Sequence, residues 1–268
     1  MKILVGTLCQ QGQVYSNFLL SMLDVYQKSI LHKNEVARQI VAQIPNFNQQ
    51  DPQHKAIFDT NMYHHTLDVG LYTLGGESLL ARGRNHMAQV ALTEGWNKLF
   101  FIDADEGFTW ENFMAIAGSP YPVAAGLVPL KTYVDYPRSF KTSLNFLPFL
   151  EDECFFDGSL RTLESTLRLA RAKKSDWIKV AFTGTGFLCI DVGVFAKLAE
   201  TAEEYTYPSP RTGEPSVHWS FFDGGPIDGH FLSEDWKLID SIRKLGVDVM
   251  VNVNVRVSHC GPQTFLAG

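Results

Sequence analysis

Two periodicities of apolar residues divide the chain. Short continuous runs, bounded by polar or glycine positions, mark strands covered on both faces, as in a parallel sheet. Lys98-Leu99-Phe100-Phe101-Ile102 is of this kind; Met1 to Cys9 and Pro122 to Val128 also read as buried strands, and Val180-Ala181-Phe182, Phe187-Leu188-Cys189-Ile190 and Val247 to Val257 as strands. Between them, apolar residues recur at helical spacing: Phe18 to Tyr26, Leu79 to Glu94 with Met87, Val90 and Ala91 on one face, Trp110 to Ala117, Val192 to Ala202, and Glu234 to Leu245. Leu71 to Leu74 is a short strand stopped by Gly75-Gly76, and Gly95 closes the helix that follows. Leu160 to Lys174 alternates Leu and Arg as a helix with a solvated basic face.

Strands alternating with helices predict an α/β fold with a mixed, mostly parallel sheet flanked by helices, and a smaller antiparallel element towards the C-terminal half. Three stretches carry neither period. Asn46 to Met62, rich in Gln, Asn, Asp and Pro, reads as a long surface loop or insertion. Lys141 to Gly158 reads as mixed hairpin and loop, and Tyr205 to Pro226 as a loop rich in Pro, Gly and aromatic residues. No internal repeat interrupts this order, and 268 residues suit one large domain.

Composition narrows the function classes. With 45% hydrophobic and 19% charged residues the chain affords a sizeable core, which excludes a wholly disordered or coiled-coil protein. A net charge of -6 and the lack of a Lys/Arg block disfavour non-specific nucleic-acid binding. Cys9, Cys154, Cys189 and Cys260 lie far apart with no C-x-x-C, the pattern of reduced thiols in a cytoplasmic protein. No apolar run reaches the length needed to span a bilayer as a helix.

The strongest chemical signal is Ile102-Asp103-Ala104-Asp105. Two carboxylates just past a buried strand sit at the carboxyl edge of the sheet, where α/β ligand sites lie, and can face one hard divalent ion that also takes substrate phosphates. The same residues could simply cap backbone N–H groups where the strand turns. Thr183-Gly184-Thr185-Gly186 would let a ligand approach the backbone, or form a tight turn. Glu234-Asp235 could supply a general base, or stabilise the start of a helix. His259 could ligate a metal or pack as a hydrogen-bonded residue. Arg82-Gly83-Arg84-Asn85 places two cations at a helix start, against the dipole, so an anion must lie nearby: a phosphate, or Asp103 or Asp105 themselves.

In this order, from Gly6-Thr7 through Arg82 to Asn85, the D-x-D, Gly184-Thr185-Gly186-Phe187, Glu234-Asp235-Trp236 and the late His259, the chain resembles the GT-A-fold glycosyltransferases. It is most similar to the small family-2-like enzymes of tailed phages and large viruses, over Lys2 to Gly261. The resemblance implies a Rossmann-like GT-A domain that moves a sugar from a nucleotide-sugar to a hydroxyl acceptor on a glycan, lipid, protein or modified nucleobase. It implies a divalent cofactor, Mn2+ or Mg2+, held by Asp103, Asp105 and His259. It implies donor contacts from Thr7, Leu8, Cys9, Arg82, Arg84, Asn85, Asp103, Ala104, Gly184, Thr185 and Gly186, and an acceptor base at Asp235 with Glu234 beside it. Many relatives have proline where Leu8 stands here. Two other classes share such a sheet-edge site: nucleotidyltransferases, whose glycine- and basic-rich loop after the first strand has no counterpart in Leu8 to Gln13, and non-catalytic nucleotide- or sugar-binding modules.

Overall fold

The computed structural model describes residues 1–9, 13–133, 142–144, 146–148, 163–227, 229–261 and 265–266. In chain order the elements are β1 (Lys2–Cys9), α1 (Ser16–Gln43), α2 (Pro52–His65), β2 (Asp68–Gly75), α3 (Leu80–Thr93), β3 (Lys98–Ile102), β4 (Glu106–Gly107), α4 (Trp110–Ala117), β5 (Val123–Leu127) and β6 (Pro129–Tyr133). There follow β7 (Thr142–Leu144), β8 (Phe146–Pro148), α5 (Leu163–Lys173), β9 (Trp177–Thr183), β10 (Phe187–Asp191), α6 (Val192–Ala199), β11 (Glu204–Pro208) and β12 (Pro215–Trp219). The chain ends with β13 (Gly225–Ile227), β14 (His230–Leu232), α7 (Glu234–Lys244), β15 (Val249–Arg256), β16 (Ser258–His259) and β17 (Phe265–Leu266).

Eight strands form the central sheet in the order β2-β1-β3-β10-β5-β15-β9-β8. Only β10 and β9 run against the others: β10 is antiparallel to both β3 and β5, and β9 to both β15 and β8. The sheet is therefore mixed and mostly parallel, with helices on both faces, as the alternating pattern predicts. Alternate strand residues serve opposite layers. Leu4, Leu99, Phe101 and Leu188 pack towards Met87 and Val90 of α3, Phe195 of α6 and Leu238 of α7. Ile3, Val5, Phe100 and Cys189 pack towards Phe18 and Met22 of α1 and Phe113 of α4. The reversal of strand order between β1, β2 and β3 opens a crevice at their carboxyl ends. α3 lies close over that edge: a Cβ on Gly83 would stand 2.6 Å from Leu8 Cδ2, so any larger residue there would push the Leu8 side chain aside.

Two expectations need correction. Most of the stretch 46–62, expected as a loop or insertion, belongs to α2, which starts at Pro52; Asp51 caps it, accepting from the N–H of Gln53 at 2.8 Å and of His54 at 3.3 Å, with Pro52 in the first turn. No α2 residue is buried, so the helix leaves no apolar stripe to read. The expected loop 205–226 contains the antiparallel hairpin of β11 and β12, paired from Glu204↔Trp219 to Pro208↔Pro215. Residues 184–186 bend and turn between β9 and β10, which are not sheet neighbours, so the segment carries the chain across the sheet. Of the expected hairpin and loop at 141–158, all but β7 and β8 lies outside the described residues, as does Cys154. Cys9, Cys189 and Cys260 are free thiols, and no described helix is long and apolar enough to cross a membrane.

Candidate functional site

The crevice is a cavity of about 320 Å³ whose lining includes Leu8 from β1, Arg84 from α3, Asp103 and Asp105 beyond β3, Lys131 from β6 and His259 from β16. Backbone pairing sets the acidic groups. Asp103 N–H donates to Gly186 O at 3.0 Å and Glu106 N–H to Asp103 O at 3.0 Å, turning the chain out of β3 into β4. β4 then pairs with β16, placing Glu106 opposite His259, and Cys260 N–H donates to Asp105 O at 2.8 Å. A three-stranded patch of β4, β16 and β17 thus brings Asp105, Glu106 and His259 together, with one ligand atom from each within 4.8 Å of the others.

His259 Nδ1 lies 2.8 Å from Pro129 O. A carbonyl only accepts, so Nδ1 carries the proton; Nε2 faces Asp105 Oδ1 at 3.5 Å and Glu106 Oε1 at 3.8 Å, donating to these acids when it is protonated and offering a lone pair to an ion when it is not. Glu106 is wholly buried, and neither of its oxygens has a hydrogen-bond partner among the described residues. Burial, reinforced by the charges of Asp103 and Asp105, pushes its carboxyl well above the ordinary range. Asp105 moves the other way: burial raises it, but hydrogen bonds from His259 and Lys131 outweigh that and hold it low. Gly186 makes the crowding possible, since a Cβ there would meet Glu106 Oε1 at 3.2 Å and Asp103 Oδ2 at 3.3 Å. Oxygen donors, one imidazole lone pair and a sealed acid without a partner fit a hard divalent ion.

Arg84 ties this cluster to α7. Its guanidinium reaches Glu234 Oε1 at 2.6 Å and Asp103 Oδ1 at 3.7 Å, and its side chain is only 8% exposed. Asp103 is thus the expected acidic partner that Arg84 meets, and Glu234 of α7 is one that the sequence reading did not assign to it. Asp235, in the first turn of α7, is bonded by the Ser233 hydroxyl and its carboxyl is raised, first by burial.

Of the residues singled out by sequence, Leu8, Arg84, Asp103, Ala104, Asp105 and His259 line the cavity, and Glu234 and Asp235 stand behind Arg84. Thr7 and Cys9 are buried within β1, while Gly184 and Thr185 lie in the buried crossing beside Gly186. Arg82 and Asn85 do not line the cavity. Arg82 pairs with Glu77 at 2.7 Å and stacks over Tyr207 at 4.3 Å. Asn85 Oδ1 accepts from the N–H of Phe221 and of Phe222, both at 2.9 Å, and so secures the segment after the hairpin. Sequence reasoning missed Glu106 and Lys131. Glu106 had a signal, a third acid directly after the D-x-D; Lys131 had none.

No protein-family model matches the chain, and no curated protein matches it. Among solved structures it is similar to A197 from STIV, at 14% identity over 99% of this chain and 94% of that one, with a TM-score of 0.45. It is also similar to 4-diphosphocytidyl-2C-methyl-D-erythritolsynthase from Anaerococcus prevotii, at 8% identity over 75% of each chain with a TM-score of 0.32. A third is UDP-glucose pyrophosphorylase complexed with UDP-glucose, at 8% identity over 92% of this chain and 99% of that one, with a TM-score of 0.30. All three are remote in sequence and structure.

Proposed function

We propose that the chain, as one domain spanning 1–268, is a metal-dependent glycosyltransferase that moves a sugar from a nucleotide-sugar to a hydroxyl acceptor. The observation that carries this reading is the sealed Glu106, without a hydrogen-bond partner among the described residues, beside Asp103, Asp105 and His259, in a cavity that also presents Arg84 and Lys131. Such a site offers a place for a divalent ion, Mn2+ or Mg2+, and cationic groups for phosphate at the same edge. When bound, the ion would supply Lewis-acid stabilisation of the departing nucleoside diphosphate.

The protein's own residues supply the rest. Asp103, Asp105, Glu106 and His259 hold the ion, and Gly186 keeps the space between the carboxylates free. Arg84, fixed by Glu234, presents a guanidinium at the cavity wall, a geometry suited to phosphate oxygens. Asp235 takes the proton of the acceptor hydroxyl; its raised carboxyl makes it a better proton acceptor than an ordinary aspartate.

Incubation with a panel of nucleotide-sugars, with manganese, magnesium or chelator, tests the reading. Free sugar and nucleoside diphosphate, dependent on the metal, are expected. Pyrophosphate chemistry would make the protein a nucleotidyltransferase, and binding without products a module. Asp235→Asn should lower turnover by roughly 10²-fold or more while donor binding survives. Near-normal turnover in that variant would remove Asp235 from the mechanism.

A further inference from the structure

The cavity already contains a cation. Lys131 Nζ is ion-paired with Asp105 Oδ2, on the same carboxyl group whose other oxygen faces His259. We propose that Lys131 is a two-position residue: it holds Asp105 while the metal site is empty, and turns to the donor's diphosphate once a divalent ion takes Asp105. This inference rests on the transferase reading above and assigns a diphosphate-binding role to Lys131.

Three observations support it. First, Lys131 does not satisfy the cluster it occupies. It reaches Asp105, yet both oxygens of the buried Glu106 remain without a partner among the described residues. The ammonium therefore fills only part of a site built for a cation that touches Asp105, Glu106 and His259 at once. Second, charge favours the exchange. The acids Asp103, Asp105, Glu106, Glu234 and Asp235 outnumber the cations Arg84 and Lys131 by three groups. A divalent ion offsets that excess, after which an arriving diphosphate is an unneutralised anion at the same edge and a released ammonium its natural partner. Third, the two cations differ in freedom. Arg84 is 8% exposed and held by Glu234, whereas the Lys131 side chain is 35% exposed on a flexible stem. Lys131 is the one that can move.

The test uses the full chain and two variants, Lys131→Met and Lys131→Arg. Calorimetric titration with Mn2+ alone measures the metal site, and titration with UDP, GDP, CDP and dTDP at saturating Mn2+ measures diphosphate binding. In Lys131→Met, Mn2+ affinity should rise roughly three- to tenfold because a competitor is gone, while affinity for the best diphosphate should fall roughly tenfold. Lys131→Arg should keep diphosphate affinity within about threefold of wild type, since the cation is retained. Opposite changes on the two ligands are something a merely structural lysine would not produce. Unchanged or weaker Mn2+ binding in Lys131→Met, or unchanged diphosphate binding, overturns the two-position role while leaving the transferase reading intact. A wild-type protein that binds no Mn2+ overturns the transferase reading itself.

Discussion

A carboxyl group sealed from water without a hydrogen-bond partner is an unfavourable side chain, and among the described residues Glu106 has none. Replacing a buried, hydrogen-bonded residue usually costs about 1–3 kcal/mol, because its partners are left unsatisfied. Glu106 leaves no such partner behind among the described residues. Glu106→Gln keeps the shape, removes the charge that Asp103 and Asp105 oppose, and should leave the metal-free protein at least as stable as wild type near neutral pH. It should also weaken Mn2+ binding by roughly tenfold or more, as loss of a metal-supporting group does. Thermal melts with chelator and with Mn2+ decide the matter. A large loss of stability in chelator, with the metal response intact, would make Glu106 a packing residue and leave the site to Asp103, Asp105 and His259.

At the scale of elements, α3 is the joint between the cavity and the β11–β12 hairpin. Three consecutive residues do this: Arg84 faces the acids, Asn85 holds Phe221 and Phe222, and His86 packs against His218 of β12 with ring centroids 5.2 Å apart. Both histidines are buried. His86 Nε2 is 2.7 Å from Tyr72 Oη, and His218 Nε2 is 2.7 Å from Ser216 Oγ. Burial, then the His218 ring and Arg211, lowers His86 from its ordinary value to about 4; burial lowers His218 as well. Between about pH 6.5 and 4 the unfolded chain therefore binds a proton that folded His86 refuses, so stability falls as pH falls through that window. The His86 share is about 2 kcal/mol between about pH 6.5 and 5. Urea denaturation at neutral pH and at about pH 5 should show this loss in wild type and a shallower pH dependence in His86→Gln, whatever that variant costs at neutral pH. Equal slopes for the two proteins would mean that His86 does not resist protonation.

Across the whole molecule, legibility followed the range of the interactions. The runs Leu99 to Ile102 and Phe187 to Ile190 are continuous because those strands are covered on both faces, so the sheet and the acids at its carboxyl edge could be read directly. The surface helix α2 could not, since it buries nothing, and the β11–β12 hairpin was hidden by prolines that flank its loop, Pro208 opposite Pro215. Lys131 became visible only in three dimensions, through a partner across the cavity, and so did the burial that sets Glu106 apart from the two acids before it. The same long range has a thermodynamic consequence. The cavity gathers Leu8, Arg84, Asp103, Lys131 and His259 from β1, α3, β3's end, β6 and β16, so a ligand there binds the folded chain and not the unfolded one. At about 100 times its dissociation constant a ligand stabilises by about 2.7 kcal/mol, which for a chain of this size raises Tm by roughly 5–10 °C. Mn2+ alone should produce a shift of that order. UDP or another nucleoside diphosphate alone should produce little, because Asp103 and Asp105 repel it, and the two together should exceed the sum of their separate shifts. Differential scanning fluorimetry with metal, diphosphate, both, and both plus chelator gives the answer. A diphosphate shift of equal size in manganese and in chelator would show that the anion is held by Arg84 and Lys131 without a metal, and the acids would then need another role.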